Sequence, residues 1–204
     1  MNTNQTVAQL LMIPLIVFLL TSFFYVDKTP EEVNEVVVLE PIEVIRLPDD
    51  RGDLYVFMGA MAERESLNTP TVVNRYGYLG KYQFSPKTLW ALGRRFRVTE
   101  QQFLGTEALQ DSAMVQYLLD NRTIIQDLIV RFDGRWYRGL YITESGLLAG
   151  AHLVGPHGLR AFLDPTYAMV RNGTRYRPRI IDGNGVHVGV YIEQFSRYAL
   201  DNLQ

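Results

Sequence analysis

The sequence contains no cysteine, and this absence excludes several kinds of site together. Disulfide bonds, zinc ribbons and thiol nucleophiles all depend on cysteine. Only three histidines occur among the 204 residues, which leaves little material for a metal centre, and we predict none. A glycine-rich phosphate loop, an internal repeat and a basic stripe interleaved with aromatic residues are also missing, so nothing favours nucleic acid as a partner.

Residues 1–26 contain no Asp, Glu, Lys or Arg. Within them, residues 8–26 form an almost continuous apolar run, close to the length of about 20 residues that a helix needs to cross a bilayer. A cleaved signal peptide would need a basic start and small residues before the cut, whereas Phe23, Phe24 and Tyr25 stand there. A buried globular helix would need a polar face, which is missing. We therefore predict an uncleaved membrane anchor with these aromatic residues at the interface.

The charge changes sign along the rest of the chain. Residues 27–50 hold eight acidic and two basic side chains, a net charge of −6, and three prolines that favour extended conformations. We predict that they form an acidic stalk. Residues 51–204 carry a net charge of +4, and their number suits one ordinary domain. A mildly basic domain suits a polyanionic substrate, although this charge is too small to indicate nucleic acid.

The hydrophobic pattern of residues 51–204 predicts a mainly helical domain. Leu54, Phe57, Met58 and Met61 recur at the spacing of one helix face. Start signals, apolar runs and a stop signal predict further helices: one that opens at Ser85-Pro86, one with a capping box at Thr99, one or two across 107–132, a buried one across 147–153 that ends at Gly155-Pro156, and a last one marked by Tyr191, Phe195 and Tyr198. Residues 74–84 are rich in Gly and Tyr and predict a hairpin or an irregular loop.

One more turn along the first apolar face leads from Met61 to Glu65. A carboxyl group that continues an apolar face should be partly desolvated, and desolvation favours the protonated form that a general acid needs. Glu63 lies about 200° around the helix from it and should face solvent. The alternative for Glu65 is a purely structural role, as a buried carboxylate that caps a neighbouring helix.

The segment that follows Glu65 contains no Asp or Glu from Ser66 to Thr99, but six basic residues. Within it, residues 74–84 offer three tyrosines, two cations and the amide of Gln83. Flat aromatic faces with a few placed hydrogen-bonding groups suit a sugar ring and its acetamido substituent. The alternative is that one or two of these tyrosines simply belong to the core.

Three short segments follow one another in the domain: Glu65-Ser66, then Gly-Lys-Tyr-Gln-Phe at 80–84, then Ala-His-Leu-Val-Gly at 151–155. In this order they resemble the E-S, G-x-x-Q and A-Y-N-A-G motifs of the lytic transglycosylases of the lysozyme-like superfamily. The resemblance covers about residues 54–200. It implies an α+β lysozyme-like fold for residues 51–204, mainly α, with a small β-hairpin or irregular loop after the catalytic helix.

Two positions depart from the family's pattern. Leu67 replaces the glycine that usually follows E-S, and His152-Leu153 replaces Tyr-Asn. Because the tyrosine of the family lies against the catalytic glutamate, we expect His152 to take over that hydrogen bond, while the asparagine's contact with a sugar is lost. The segment 144–146 also spells E-S-G, but no G-x-x-Q follows it, and Glu144 is better explained as a first-turn acid favoured by the helix dipole.

The resemblance implies cleavage of the β-1,4 bond between N-acetylmuramic acid and N-acetylglucosamine in the glycan strand of peptidoglycan. Glu65 would protonate the leaving oxygen and then accept the proton of the C6 hydroxyl as a 1,6-anhydro ring closes, assisted by the substrate's acetamido group. No cofactor is implied. The residues expected at the substrate are Ser66, Tyr78, Gly80, Tyr82, Gln83 and His152. Tyr82 and Gln83 would orient the acetamido sugars, and Ser66 and Tyr78 would steady Glu65 or the loop.

Two other functions stay open. A lysozyme-type hydrolase on the same fold would usually need a second carboxylate ~5–9.5 Å away, for which Asp133, Asp164 and Asp182 are candidates. A non-catalytic wall-binding or structural virion protein would keep the fold without turnover. We expect a single-pass membrane protein whose domain faces the peptidoglycan, in a bacterial envelope or in the membrane of a phage particle.

Overall fold

The structure, a computed structural model, describes residues 53–93 and 96–203. The predicted anchor (8–26) and the predicted stalk (27–50) lie outside the described residues. Among the described residues, no helix has both the length and the apolar character needed to cross a membrane.

About half of the described chain is helical, and two small antiparallel hairpins complete its regular structure. The helices are α1 (Asp53–Ser66), α2 (Pro86–Ala91), α3 (Glu100–Leu104), α4 (Glu107–Ile124), α5 (Gln126–Phe132), α6 (Glu144–Leu163) and α7 (Val188–Gln194). The strands are β1 (Arg135–Tyr137), β2 (Leu140–Ile142), β3 (Met169–Arg171) and β4 (Thr174–Tyr176). The prediction of a mainly helical domain with small β elements is confirmed at this level.

The predicted helix starts at Ser85-Pro86 and Thr99 are confirmed, whereas the last helix ends at Gln194, before two of the residues predicted to mark it, Phe195 and Tyr198. The Ser85 hydroxyl accepts a hydrogen bond from the Thr88 amide, and Pro86 opens α2. Thr99 and Gln102 form the predicted capping box at the start of α3, so that two otherwise unpaired amides are satisfied. The apolar pattern across 107–132 resolves into two helices, α4 and α5, which meet at Ile125.

The first segment of the buried helix ends at Gly155-Pro156 as predicted, but a second helical segment, which was not predicted, follows directly and continues to Leu163. Gly155 adopts φ 74° and ψ 163°, which is not helical, and the helix resumes beyond it. Proline tolerates the first turn of a helix, since its missing amide has no partner there, so Pro156 begins a second helical segment. The dipeptide therefore kinks the helix.

The core is built on α1 and α6. The four residues of the predicted α1 stripe are each at most 2% exposed: Leu54, Phe57, Met58 and Met61. The first half of α6 is buried almost throughout and packs against α4 and α7. At Gly146 a Cβ atom would lie 2.8 Å from the backbone oxygen of Ile192, so only glycine allows α6 to approach α7 this closely.

The β structure contains one of the two forms predicted for residues 74–84, together with two hairpins that were not predicted. Residues 74–84 form an irregular loop with isolated bridges from Leu79 to Val73 and to Phe84. The two hairpins, β1–β2 and β3–β4, lie further along the chain, at 135–142 and 169–176. The second turns at Asn172-Gly173, which have φ values of 52° and 75°, as a tight hairpin turn requires.

Candidate active site

Glu65 occupies the last turn of α1, where the buried stripe of that helix reaches a cavity of about 200 Å³. Its side chain is 16% exposed, whereas Glu63, two residues earlier, is fully on the outside of the helix. The helix stops directly afterwards because Leu67 and Asn68 adopt left-handed backbone conformations, with φ values of 53° and 52°. The carboxyl group thus stands at the end of a rigid element and opens into a concave surface.

Two side chains from distant elements contact the carboxyl group of Glu65. The Tyr191 hydroxyl, from α7, donates a hydrogen bond of 2.7 Å to its Oε1 atom. The Nε2 atom of His152, from α6, lies 3.6 Å from the same oxygen, and the His152 side chain is 7% exposed. We call these three residues the floor of the cavity. Oε2 of Glu65 forms no hydrogen bond within the described chain, so it is the oxygen left for a ligand.

Burial decides the protonation of both partners. Burial and the neighbouring carboxylate of Glu65 raise the pKa of Tyr191, so its hydroxyl remains a donor across the physiological range. Burial lowers the pKa of His152, and the Glu65 carboxylate and the Tyr82 carbonyl only partly oppose that effect. A histidine with a lowered pKa is uncharged at neutral pH, so the floor carries one ionisable acid between two neutral groups.

The loop at 74–84 forms one wall of the cavity. Asn74 shapes its first part, because its side-chain oxygen accepts hydrogen bonds from the amides of Tyr76 (2.8 Å) and Tyr78 (3.1 Å). Gln83 has a positive φ of 52° and donates from its side chain to the Gly80 carbonyl at 2.8 Å. Asn74, Tyr76, Tyr78 and Gln83 all line the cavity beside Glu65.

Gln110, a fully buried residue of α4, supports this loop from below. Its side-chain oxygen accepts a 2.8 Å hydrogen bond from the Lys81 amide, and its nitrogen donates to the carbonyls of Pro70 and Phe103. A Cβ atom at Gly80, which has φ 71°, would lie 2.3 Å from that same Gln110 oxygen. The glycine of the predicted G-x-x-Q segment is thus required by a buried glutamine of this chain.

Asp111 of α4 provides a second support for the same loop. It accepts a 2.6 Å hydrogen bond from the Tyr82 hydroxyl and forms an ion pair of 2.8 Å with Lys81. Burial and this carboxylate raise the pKa of Tyr82, which is 2% exposed. Ser66 ties the loop to α1, because its hydroxyl donates to the Lys81 carbonyl at 2.9 Å.

The opposite wall is the turn at 182–185. The Tyr76 hydroxyl donates to the Gly183 carbonyl at 3.3 Å, and the Arg75 guanidinium donates to the side chain of Asn184 at 3.1 Å. These exposed contacts join the two walls above the floor, and we call the residues that make them the rim. The turn is closed by the hydrogen bond from the Gly185 amide to the Asp182 carbonyl.

The structure separates the predicted substrate residues into two groups. Tyr78, Gln83 and His152 line the cavity with Glu65. The other three support the loop: Ser66, Gly80 and Tyr82 lie outside the cavity lining. Tyr82 in particular has almost no exposed surface and its hydroxyl is already bonded to Asp111, so the predicted contact between Tyr82 and a sugar has no support from this geometry.

Tyr191 is the main residue that sequence reasoning missed. The pattern assigned it only to the packing of the last helix, and it does pack there, with 4% exposure. A buried tyrosine hydroxyl needs a hydrogen-bonding partner, and that requirement was the available signal. It does not identify the partner, which lies 126 residues away along the chain.

The candidate second carboxylates differ in position. Asp182 lines the cavity, but its Oδ1 atom accepts hydrogen bonds from the amides of Asn184 and Val186. Asp164 is engaged with Thr166, whose hydroxyl and amide hold the pKa of that carboxyl below its usual range, and Asp133 bonds the Glu144 amide. Of the three, only Asp182 is placed beside Glu65.

Glu144 does not contribute to the cavity. It is the first residue of α6 and forms an ion pair of 2.6 Å with Arg122, while Thr143 caps the helix by accepting a hydrogen bond from the Gly146 amide. No cluster of three or more possible metal ligands occurs in the described ranges.

Comparison of the chain with protein-family models, with curated proteins and with solved structures found no match. The functional argument therefore depends on the site itself.

Proposed function

We propose that this protein is a peptidoglycan lytic transglycosylase in which Glu65 is the sole general acid and base. The observation that carries the proposal is the meeting of three separate segments at one cavity. Glu65 comes from the end of α1, Gln83 from the 80–84 loop and His152 from α6, and all three line the same concave surface. These are the segments that resemble the family's three motifs, and their convergence is what a shared active site requires.

The floor suits a carboxyl group that gives up a proton and then takes one back. With Oε1 held by the Tyr191 hydroxyl, a protonated Glu65 would donate to the glycosidic oxygen while the C1–O bond breaks. The acetamido oxygen of the same sugar would form a bond to C1. Attack by the C6 hydroxyl would then displace that oxygen and close the anhydro ring, as the Glu65 carboxylate takes the hydroxyl proton.

The departures from the family's pattern have local explanations. Leu67 is left-handed, with φ 53°, and 77% exposed. Glycine adopts this conformation without strain, so a glycine would suit this position at least as well as leucine does. The hydrogen bond that we expected from His152 comes from Tyr191 instead, because the Tyr191 hydroxyl lies 2.7 Å from Oε1 of Glu65, whereas Nε2 of His152 lies 3.6 Å away, beyond hydrogen-bonding distance.

A lysozyme-type hydrolase is the second candidate, and one observation favours it. Asp182 lines the cavity together with Glu65, as a second carboxylate would have to do. Two backbone amides already occupy Oδ1 of Asp182, which suits a turn-forming carboxylate better than a free nucleophile or base. We therefore propose the single-acid route, with the chain attached to a bacterial or virion membrane through residues 8–26.

Substitution of Glu65 tests the proposal, and Glu63 provides a matched control on the same helix. Release of muropeptides from purified peptidoglycan should fall by about 10²- to 10⁴-fold in Glu65→Gln, the range expected for loss of a general acid. It should be unchanged in Glu63→Gln, which alters the same charge on the exposed face. Equal activity of the two variants would remove Glu65 from the mechanism, and release by neither variant nor the unsubstituted chain would favour a binding protein.

A further inference from the structure

The β3–β4 hairpin and the segment after it form a basic surface with no part in the floor or the rim. From Pro165 to Ile181 the chain contains four arginines and no acidic residue. Most positions of the hairpin are exposed, including 69% of Val170 and 41% of Tyr176. A two-stranded hairpin has little stability of its own, so contacts with the rest of the protein have to hold it in place.

The four arginines divide into two that hold the hairpin and two that are free. Arg177 donates to the carbonyls of Ala161 and Pro165, and Arg175 donates to the Thr166 carbonyl at 3.1 Å. These two attach the hairpin to the end of α6. Arg171 and Arg179 are exposed, and their side chains form neither a hydrogen bond nor an ion pair with any residue in the described part of the chain.

One of the two free arginines, Arg179, lies next to the candidate active site, and Arg171 is the last residue of β3 in the same basic segment. Residues 177–182 line a second, open cavity of about 470 Å³, and Asp182 belongs to both cavities. A strand that passes through the first cavity and continues beyond Asp182 would therefore run along Arg179. The basic surface therefore adjoins the first cavity on the side of Asp182.

We propose that Arg171 and Arg179 bind the carboxylates of the peptide stems that peptidoglycan carries on its N-acetylmuramic acid residues. This inference rests on the proposed function, since it assumes a peptidoglycan strand in the Glu65 cavity. The stems end in carboxylates, and the planar guanidinium group matches a carboxylate with two parallel hydrogen bonds. The tyrosines of the 74–84 loop bind the sugar rings, and the two arginines bind the stems. The protein therefore distinguishes peptide-bearing strands from bare glycan.

The test measures binding by the full-length Glu65→Gln chain in detergent, so that the result does not depend on turnover. Its ligands are intact peptidoglycan and glycan strands from which an amidase has removed the stems. The variant adds Arg171→Gln and Arg179→Gln, and leaves Arg175 and Arg177 in place because they hold the hairpin. The matched control instead adds Arg135→Gln and Arg197→Gln, two exposed arginines outside both cavities.

The variant should bind intact peptidoglycan about tenfold more weakly than the control, as expected for the loss of charge-assisted hydrogen bonds, and bare strands equally well. An equal loss on both ligands, or no loss on either, would overturn the proposal. Loss of binding to vesicles that contain phosphatidylglycerol, with peptidoglycan binding unchanged, would also overturn it and assign the surface to a membrane. Failure of the unsubstituted chain to cleave peptidoglycan would instead count against the proposed function, whatever the binding result.

Discussion

The floor and the rim of the cavity are built from the same kinds of polar contact, but they differ in burial. On the floor, the His152 and Glu65 side chains are 7% and 16% exposed, and Tyr191 is 4% exposed. On the rim, Tyr76 is 48% exposed, and its hydroxyl donates a hydrogen bond of 3.3 Å to the Gly183 carbonyl. A buried polar group that loses its partner costs free energy, whereas an exposed one exchanges its partner for water. We therefore expect the contacts of the floor to persist and those of the rim to break and re-form.

Two glycines in the loop at 74–84 provide the largest contrast. Gly80 and Gly77 have similar φ values of 71° and 76°, so alanine would strain the backbone equally at both. A Cβ atom at Gly77 meets no atom within 4 Å, whereas at Gly80 it would collide with Gln110, which three hydrogen bonds hold in place. We expect Gly80→Ala to lower the free energy of unfolding by about 3 kcal/mol and Gly77→Ala by about 1 kcal/mol.

Denaturant unfolding of the two variants measures this difference directly. Similar losses of unfolding free energy in Gly80→Ala and Gly77→Ala would mean that the buried support adjusts to a Cβ atom as easily as the exposed wall does. The two regions would then not differ in rigidity.

Removal of the Tyr191 hydroxyl tests the floor with a smaller expected effect. In Tyr191→Phe, the carboxyl group of Glu65 loses its 2.7 Å hydrogen bond, while the ring still packs against Phe195. We expect kcat on peptidoglycan to fall by about tenfold with little change in KM, since the hydroxyl positions the acid and is not placed to bind sugar.

Tyr198→Phe is the matched control for that substitution. Tyr198 belongs to the same aromatic cluster, with ring contacts to Phe57 and Phe195, and does not contact Glu65. A loss of kcat in Tyr198→Phe equal to that in Tyr191→Phe would indicate that packing of the cluster, and not the hydrogen bond, is responsible.

These two predictions also show where sequence reasoning succeeded and where it ended. The position of Glu65 followed from the helical spacing of Leu54, Phe57, Met58 and Met61, because the periodicity of a helix is local. The caps at Ser85 and Thr99 were predicted for the same reason. The contact from Tyr191 to Glu65 spans 126 residues, and nothing local indicates which partner a buried hydroxyl will find.

Two local signals do not determine the structure around them. Asn172-Gly173 is a typical turn sequence for a two-residue hairpin, yet the strands beside it are too short and too polar to show a clear alternation. Gly155-Pro156 predicts the end of a helix, because both residues disfavour its interior, but it does not indicate whether a second segment follows. Whether a helix resumes after such a pair depends on burial further along, and Leu159 and Phe162 provide it.

A third prediction concerns the response of the floor to acid. The pKa of His152 is lowered in the folded chain, so the unfolded chain binds that proton more readily. Stability should therefore fall as the pH drops below the unfolded value of about 6.5, by up to about 1.4 kcal/mol per pH unit. In His152→Gln this fall should be smaller, because the titrating group is gone.

The free energy of unfolding of both forms, measured from about pH 7.5 to about pH 5, checks this prediction. Parallel curves for the unsubstituted chain and His152→Gln would show that the histidine titrates alike in both states and that its burial has no energetic consequence.

The smallest effect is expected at the rim. Tyr76→Phe removes the hydrogen bond to the Gly183 carbonyl and leaves the ring in contact with the turn. Because the contact is exposed, its loss should cost about 1 kcal/mol or less, and amide exchange in residues 182–186 should become a few times faster. Global stability should not change. An unchanged exchange rate would mean that the rim does not hold the two walls together.

The most direct test of the account is the product of the reaction in water enriched in heavy oxygen. The full-length protein would digest purified peptidoglycan in this water, and mass spectrometry would identify the released muropeptides. The single-acid route through Glu65 predicts 1,6-anhydro ends that lack a water and carry no heavy oxygen. Reducing ends that contain heavy oxygen would contradict it, and would indicate a hydrolase in which Asp182 assists Glu65.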